Sequence, residues 1–183
     1  MRKMAFAILF LWTVQGPAYP SGEEQTASVE ELYNTGYLLT LLSHHEEALK
    51  LYDRSLAIRP TAEAYTYKGW TLSQMGAHQR AIEEAEKAIR LDPEFGNPYN
   101  DIGVYLIELE REDEAITYLE QAKRAKRYCC YQFPYFNLGR IYLKKKLYEK
   151  AREEFKKSLE IDPDYEPAHQ GLELLKELGF EKT

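Results

Sequence analysis

The amino-acid sequence predicts an all-α solenoid: four helix-pair repeats followed by a C-terminal capping helix. Three observations carry that expectation. A glycine returns inside a similar short phrase at Gly36, Gly69, Gly103 and Gly139, at spacings of 33, 34 and 36 residues. A second phrase trails each one at a fixed offset, reading EEALKLYDRSLAIRP (46–60), QRAIEEAEKAIRLDP (79–93), DEAITYLEQAKRAKR (113–127) and EKAREEFKKSLEIDP (149–163). Within the phrases apolar residues fall at i, i+3, i+4 and i+7, the spacing of one face of an α-helix. A period near 34 residues built of two helical patterns marks a repeat array. Each unit is too small to bury its apolar face alone, and about three are needed for stability.

The chain begins differently. Arg2 and Lys3 precede the apolar run AFAILFLWTV (5–14), and Gly16-Pro17-Ala18 follows with small residues where a signal peptidase reads. This is the pattern of a secretory signal over residues 1–18, and the run is short for a bilayer span. Export, to a periplasm or outside the cell, is the expectation. An uncleaved N-terminus leaning on a membrane is the other reading. Residues 19–28 (YPSGEEQTAS) are polar and carry Pro20 and Gly22, which predicts a disordered tether.

The repeats then follow as residues 29–61, 62–95, 96–131 and 132–165. In the first helix of a unit the apolar stripe is seen at Tyr99, Ile102, Gly103 and Leu106, and again at Tyr135, Leu138, Gly139 and Tyr142. Glycine inside a helix costs about 1 kcal/mol against alanine. Four such glycines imply close approach of a partner helix. Twelve residues on stand Ala48, Ala81, Ala115 and Ala151, expected to be the small residues each glycine faces. The inward stripe continues through Tyr52, Ala85, Leu119 and Phe155, then Ser55, Ala88, Ala122 and Ser158. Pro60, Pro93 and Pro163 stop the second helix. The third unit has Arg127 at that place and two extra residues, so 127–133 is predicted to be the least regular joint. Residues 166–183 contain PAHQGLELLKEL, a helix suited to covering the last repeat, with Gly179 as its stop.

These phrases resemble the tetratricopeptide repeat (TPR) family. The fourth unit carries Tyr135, Leu138, Gly139, Tyr142, Ala151, Phe155, Ser158 and Pro163 at that family's eight marker positions. The resemblance spans about residues 29–178. It implies a right-handed superhelix whose first helices line a concave groove for an extended peptide or a partner's helix. The groove positions it implies include Tyr33 and Tyr37 in unit one, Thr66 and Trp70 in unit two, and Asn97, Asn100 and Val104 in unit three. Unit four contributes Phe133, Phe136, Arg140 and Lys144. Tyr37 and Trp70 hold equivalent places in adjacent units and should be neighbours. Phe136 with Arg140 forms a second candidate pocket, where the guanidinium could pair a partner's carboxylate. Family members that grip the carboxyl-terminal tails of heat-shock proteins use a lysine/asparagine/arginine clamp. The corresponding places here hold Tyr33, Tyr37, Tyr67, Asn97 and Asp101, so that activity is not implied.

Composition narrows the function classes. The net charge of −6 argues against nucleic acid, which needs a basic face. The acidic turn of unit three (Glu110, Glu112, Asp113) should compensate the lysine turn of unit four (Lys144, Lys145, Lys146). No phosphate loop, nucleophile elbow or HExxH motif occurs, so neither catalysis, a metal nor a cofactor is expected. Cys129 and Cys130 are neighbours and the only cysteines. They read first as two small thiols in a linker. A bond between adjacent residues is strained, their Cα atoms being only about 3.8 Å apart, and a bond between two chains is geometrically easier. The expected function is a non-catalytic adaptor holding a partner protein or peptide in the concave groove. A self-associating structural subunit and an accessory subunit docking an enzyme are the alternatives.

Overall fold

The computed structural model describes residues 27–180, and within them the chain forms nine α-helices and no named strand. The predicted signal segment and most of the predicted tether lie outside the described residues. The helices are α1 (Val29–Leu41), α2 (His45–Ile58), α3 (Ala62–Gln74), α4 (His78–Leu91), α5 (Gly96–Glu108), α6 (Glu112–Ala122), α7 (Gln132–Lys144), α8 (Tyr148–Ile161) and α9 (Glu166–Glu177).

Local chemistry sets the helix ends. The Ser28 hydroxyl accepts from the Glu31 backbone N–H at 3.1 Å, and Ser28 N–H donates to the Glu31 carboxylate at 2.7 Å, a complete capping box starting α1. Thr61 caps α3 in the same sense, accepting from Ala64 N–H at 3.2 Å. The tight turn inside each pair passes through one residue with positive φ: Ser43 (62°), Gly76 (77°), Glu110 (59°) and Lys146 (60°). These four hold the same place in their units, and only one is glycine. Nothing in the residue types at these places marks that backbone requirement.

Packing follows from the small residues. Ala48, Ala81, Ala115 and Ala151 are fully buried. The glycines face them less directly than the spacing suggested. A methyl group built on Gly36 would come within 2.7 Å of the Tyr52 ring, on Gly103 within 2.5 Å of Leu119, and on Gly139 within 2.5 Å of the Phe155 ring. The residue each glycine accommodates is thus the large one a turn beyond the alanine. Only in unit two, where Ala85 takes that place, does the glycine approach an alanine backbone, Gly69 lying 3.0 Å from the Ala81 carbonyl by the same measure. The alanine lets the helices approach, and the glycine then makes room for the ring or branched chain between them.

Successive pairs stack through their first helices. The backbones of α1 and α3, α3 and α5, α5 and α7, and α7 and α9 approach within 8 Å between Cα atoms, whereas no two of α2, α4, α6 and α8 come that close among the described residues. The odd-numbered row is therefore the tighter, inner row of a curved array. The result is the all-α superhelix expected from the repeat pattern.

The irregular joint lies where two extra residues follow α6. Here the chain doubles back: Arg127 N–H donates to the Glu94 carbonyl at 2.9 Å, and Gly96 N–H donates to the Arg127 carbonyl at 3.0 Å. The Arg127 guanidinium lies 3.8 Å from the centre of the Phe95 ring and pairs with Asp92 at 2.6 Å and Glu63 at 2.9 Å. The arginine that replaces proline thus pins the end of unit three onto the preceding joint. Cys129 and Cys130 are joined as a vicinal disulfide, which corrects the reading of two thiols. The backbone bends at Cys129, and the two sulfurs meet within the linker.

Candidate partner-binding face

The inner row gathers aromatic side chains at its N-terminal end. Tyr33 and Tyr37 lie one turn apart on α1, and Tyr67 and Trp70 one turn apart on α3. Their rings form a continuous strip: Tyr33 to Tyr67 is 5.9 Å between centroids, Tyr67 to Tyr37 5.0 Å, and Tyr37 to Trp70 5.6 Å. All four are half-buried, so each ring has a packed side and an open side. Burial holds the Tyr33 and Tyr67 phenols above the usual tyrosine range, and the nearby Glu63 carboxylate adds to the shift in both. These hydroxyls stay protonated and can donate at neutral pH. The carboxylates beside the strip are committed elsewhere, Glu30 to Arg59 and Glu63 to Arg127. The expected neighbourhood of Tyr37 and Trp70 is present. Tyr67 joins the strip; it holds a place equivalent to one of the heat-shock clamp's but is not among the groove residues that the resemblance implies. The signal that could have found it is its spacing of three residues from Trp70.

The middle of the row is polar. Asn97 is half-buried near the start of α5, with Val104 two turns further on, also half-buried. Thr66 and Asn100, both expected to face a partner, are buried instead. Thr66 is short, and its hydroxyl donates to the Ala62 carbonyl one turn back at 2.7 Å, so it lies against its own helix. Asn100 accepts a hydrogen bond from the Asn137 side chain at 3.1 Å, which ties α5 to α7. Asn137 in turn accepts from the Arg140 guanidinium at 3.4 Å. Next to Asn100, burial raises the Asp101 carboxyl to about 7, partly opposed by a hydrogen bond from Asn100. The Tyr105 and Tyr128 hydroxyls, both within the influence of that carboxyl, are buried and have no hydrogen-bond partner among the described residues.

At the far end Phe133 and Phe136 are half-buried against α9: both rings meet the Tyr165 ring edge-on, at 5.5 and 5.3 Å, and Phe136 also lies 5.8 Å from Phe155. Part of their surface is therefore spent inside the array. Arg140 is exposed, with its guanidinium 5.9 Å from the centre of the Phe136 ring. Lys144 is exposed but already paired with Glu112, and Lys145 with Asp113 at 2.8 Å, so the two oppositely charged turns compensate each other. Between α5, α6 and α7 lies a cavity of about 320 Å³ lined by Ile107, Glu112, Arg140, Ile141, Leu143 and Lys144. No group of three or more histidine, cysteine or carboxylate side chains stands at metal-binding spacing among the described residues.

A curved row of helix pairs, with an aromatic strip at one end of its inner face, defines a helical repeat protein. Models of the tetratricopeptide repeat match residues 62–95, 97–129 and 134–165, together more than half of the chain. The chain belongs to the tetratricopeptide repeat family. It is 26% identical over 156 residues to the small glutamine-rich tetratricopeptide repeat-containing protein 2 of Mycosarcoma maydis, a match covering 85% of this chain and 34% of that protein. The chain spans about a third or less of the length of the curated relatives it matches. Among solved structures, the type IV pilus biogenesis factor PilW superposes with a TM-score of 0.75 at 20% identity, over 82% of this chain and 69% of that one. YrrB, described as a TPR protein with an unusual peptide-binding site, superposes with a TM-score of 0.65 at 19% identity, over 79% of this chain and 74% of that one. At these identities the likeness to PilW and YrrB is one of fold.

Proposed function

We propose that this protein is a non-catalytic scaffold that holds an extended segment of a partner polypeptide along its inner face, and that it acts after export. The observation that carries the reading is the strip of Tyr33, Tyr67, Tyr37 and Trp70. Four half-exposed rings in continuous contact on the inner row offer a large, rigid, partly apolar surface with hydroxyl donors along it. Tyrosine and tryptophan bury much area for little lost freedom and are enriched where binding energy concentrates. The fold is shared with YrrB, which has a peptide-binding site. Export rests on the N-terminal sequence alone, with its basic start, apolar run and small-residue site.

Capture of partners from the native host, using wild type and Trp70→Ala side by side, tests the binding face. Trp70 is half-buried and its neighbours are rings, so the variant should keep the array folded. Removing such an anchor is expected to cost about 2 kcal/mol of binding, roughly a thirtyfold loss of affinity. Equal recovery of every partner by the two proteins would exclude this face. Sequencing the N-terminus of protein recovered outside the cytoplasm tests export. A mature start near residue 19 supports it, and an intact Met1 contradicts cleavage.

A further inference from the structure

We infer that the cavity between α5, α6 and α7 is a subsite for an acidic-aliphatic pair, meaning an aspartate or glutamate two residues from a leucine, isoleucine or methionine in the extended partner segment. The inference rests on the reading of the inner face as a polypeptide-binding surface and adds what that segment must contain.

Charge and shape both point this way. Three charged groups stand on the rim: Glu112, Arg140 and Lys144. Glu112 and Lys144 are paired with each other. Arg140 has no carboxylate within ion-pair distance among the described residues, in contrast to Lys144 and Lys145 at the end of the same helix. Nor is it loose. Its Nη1 donates to Asn137 Oδ1 at 3.4 Å, and the Asn137 amide is fixed by donating to Asn100 Oδ1 at 3.1 Å, both asparagines being buried. The Phe136 ring supports the guanidinium from one side. Unlike the exposed Lys146, Arg140 is therefore held over the cavity by its own neighbours. An arginine held in this way can accept a carboxylate on two N–H groups at once.

Below the rim the walls are Ile107, Ile141 and Leu143. At about 320 Å³ the cavity is at the small end of ligand pockets, which run from about 300 to 1,000 Å³. That space suits one aliphatic side chain with its backbone, not a cofactor. A carboxylate on Arg140 and an aliphatic chain among Ile107, Ile141 and Leu143 enter one cavity from one side of the occupant, and in an extended segment that places them two residues apart.

Selection of a random-peptide phage library on the full protein, on Arg140→Glu and on Lys146→Glu tests the assignment. Lys146 is an exposed lysine outside the cavity, and its reversal controls for net charge. Wild type and Lys146→Glu are expected to enrich peptides with an acidic residue two positions from an aliphatic one, and Arg140→Glu to lose that enrichment. Peptides chosen by wild type should bind Arg140→Glu about tenfold more weakly. If wild type enriches peptides without the pair, or Arg140→Glu enriches the same ones, the subsite is wrong while the inner face stands as a binding surface. If nothing is enriched on wild type, the polypeptide-binding reading fails and the subsite with it. Thermal melting of each variant confirms that the comparison is between folded proteins.

Discussion

The Phe155 ring shows how one side chain can hold two repeats. It sits between two glycines: a methyl on Gly139 of α7 would come within 2.5 Å of one edge, and a methyl on Gly171 of α9 within 2.7 Å of the other. The ring cannot move away from one helix without meeting the other. Gly139→Ala should gain about 1 kcal/mol of helix propensity and lose about 1–3 kcal/mol to overpacking. The expected outcome is a lower melting temperature, despite alanine being the better helix former. The glycines were legible in the sequence because they recur. Their true neighbours were not, because a period cannot say which of two residues one turn apart slides over the gap.

A second residue-scale consequence concerns pH. Asp101 has a folded pKa of about 7, raised by burial, against about 3.9 for a free aspartate. Between those values the folded state binds a proton that the unfolded state has released. Its contribution to stability therefore falls as pH rises from about 4 to about 7 and is level above that. Asp101→Asn should raise the melting temperature at pH 8 and leave it nearly unchanged at pH 4. Calorimetry of both proteins across that range gives the comparison. A constant gap at all pH values would contradict the buried carboxyl.

At the scale of elements, the helices follow from what the sequence displays and the joints do not. Helix faces are written as apolar spacing, and three of the second helices end before Pro60, Pro93 and Pro163. The turns hide more. Ser43, Glu110 and Lys146 adopt positive φ with nothing in their side chains to announce it, since the register of the repeat imposes it. A non-glycine residue in that region is strained by about 1–2 kcal/mol. Ser43 is exposed, so Ser43→Gly should stabilise the protein by about 0.5–1 kcal/mol after the entropic cost of glycine. Urea titration would show a higher midpoint with an unchanged slope. The joint after α6 was visible as irregular, but its remedy was not. Arg127 reaches Asp92 and Glu63, residues 35 and 64 positions away, and no local pattern foretells pairs at such separations.

At the scale of the molecule, one geometric fact organises the rest. The backbones of the first helices of successive pairs lie closer together than those of the second helices, so the array curves and its inner face collects residues from every repeat. The candidate site was legible in proportion to how regular that register is. Tyr37 and Trp70 met as expected because they hold equivalent places in adjacent units. Thr66 and Asn100 also hold inner-face places, yet a short hydroxyl bonded to its own helix and an amide bonded across helices stay inside. Register names the face, and side-chain length and hydrogen-bonding needs decide which residues reach its surface.

The central claim is that this inner face is where the protein meets its partner. A photo-crosslinking amino acid placed at position 70 on the inner row, and separately at exposed position 90 near the end of α4, tests it in the native host. The account predicts a discrete polypeptide adduct from position 70 and none from position 90. Adducts from position 90 alone, or of equal yield from both, would contradict it.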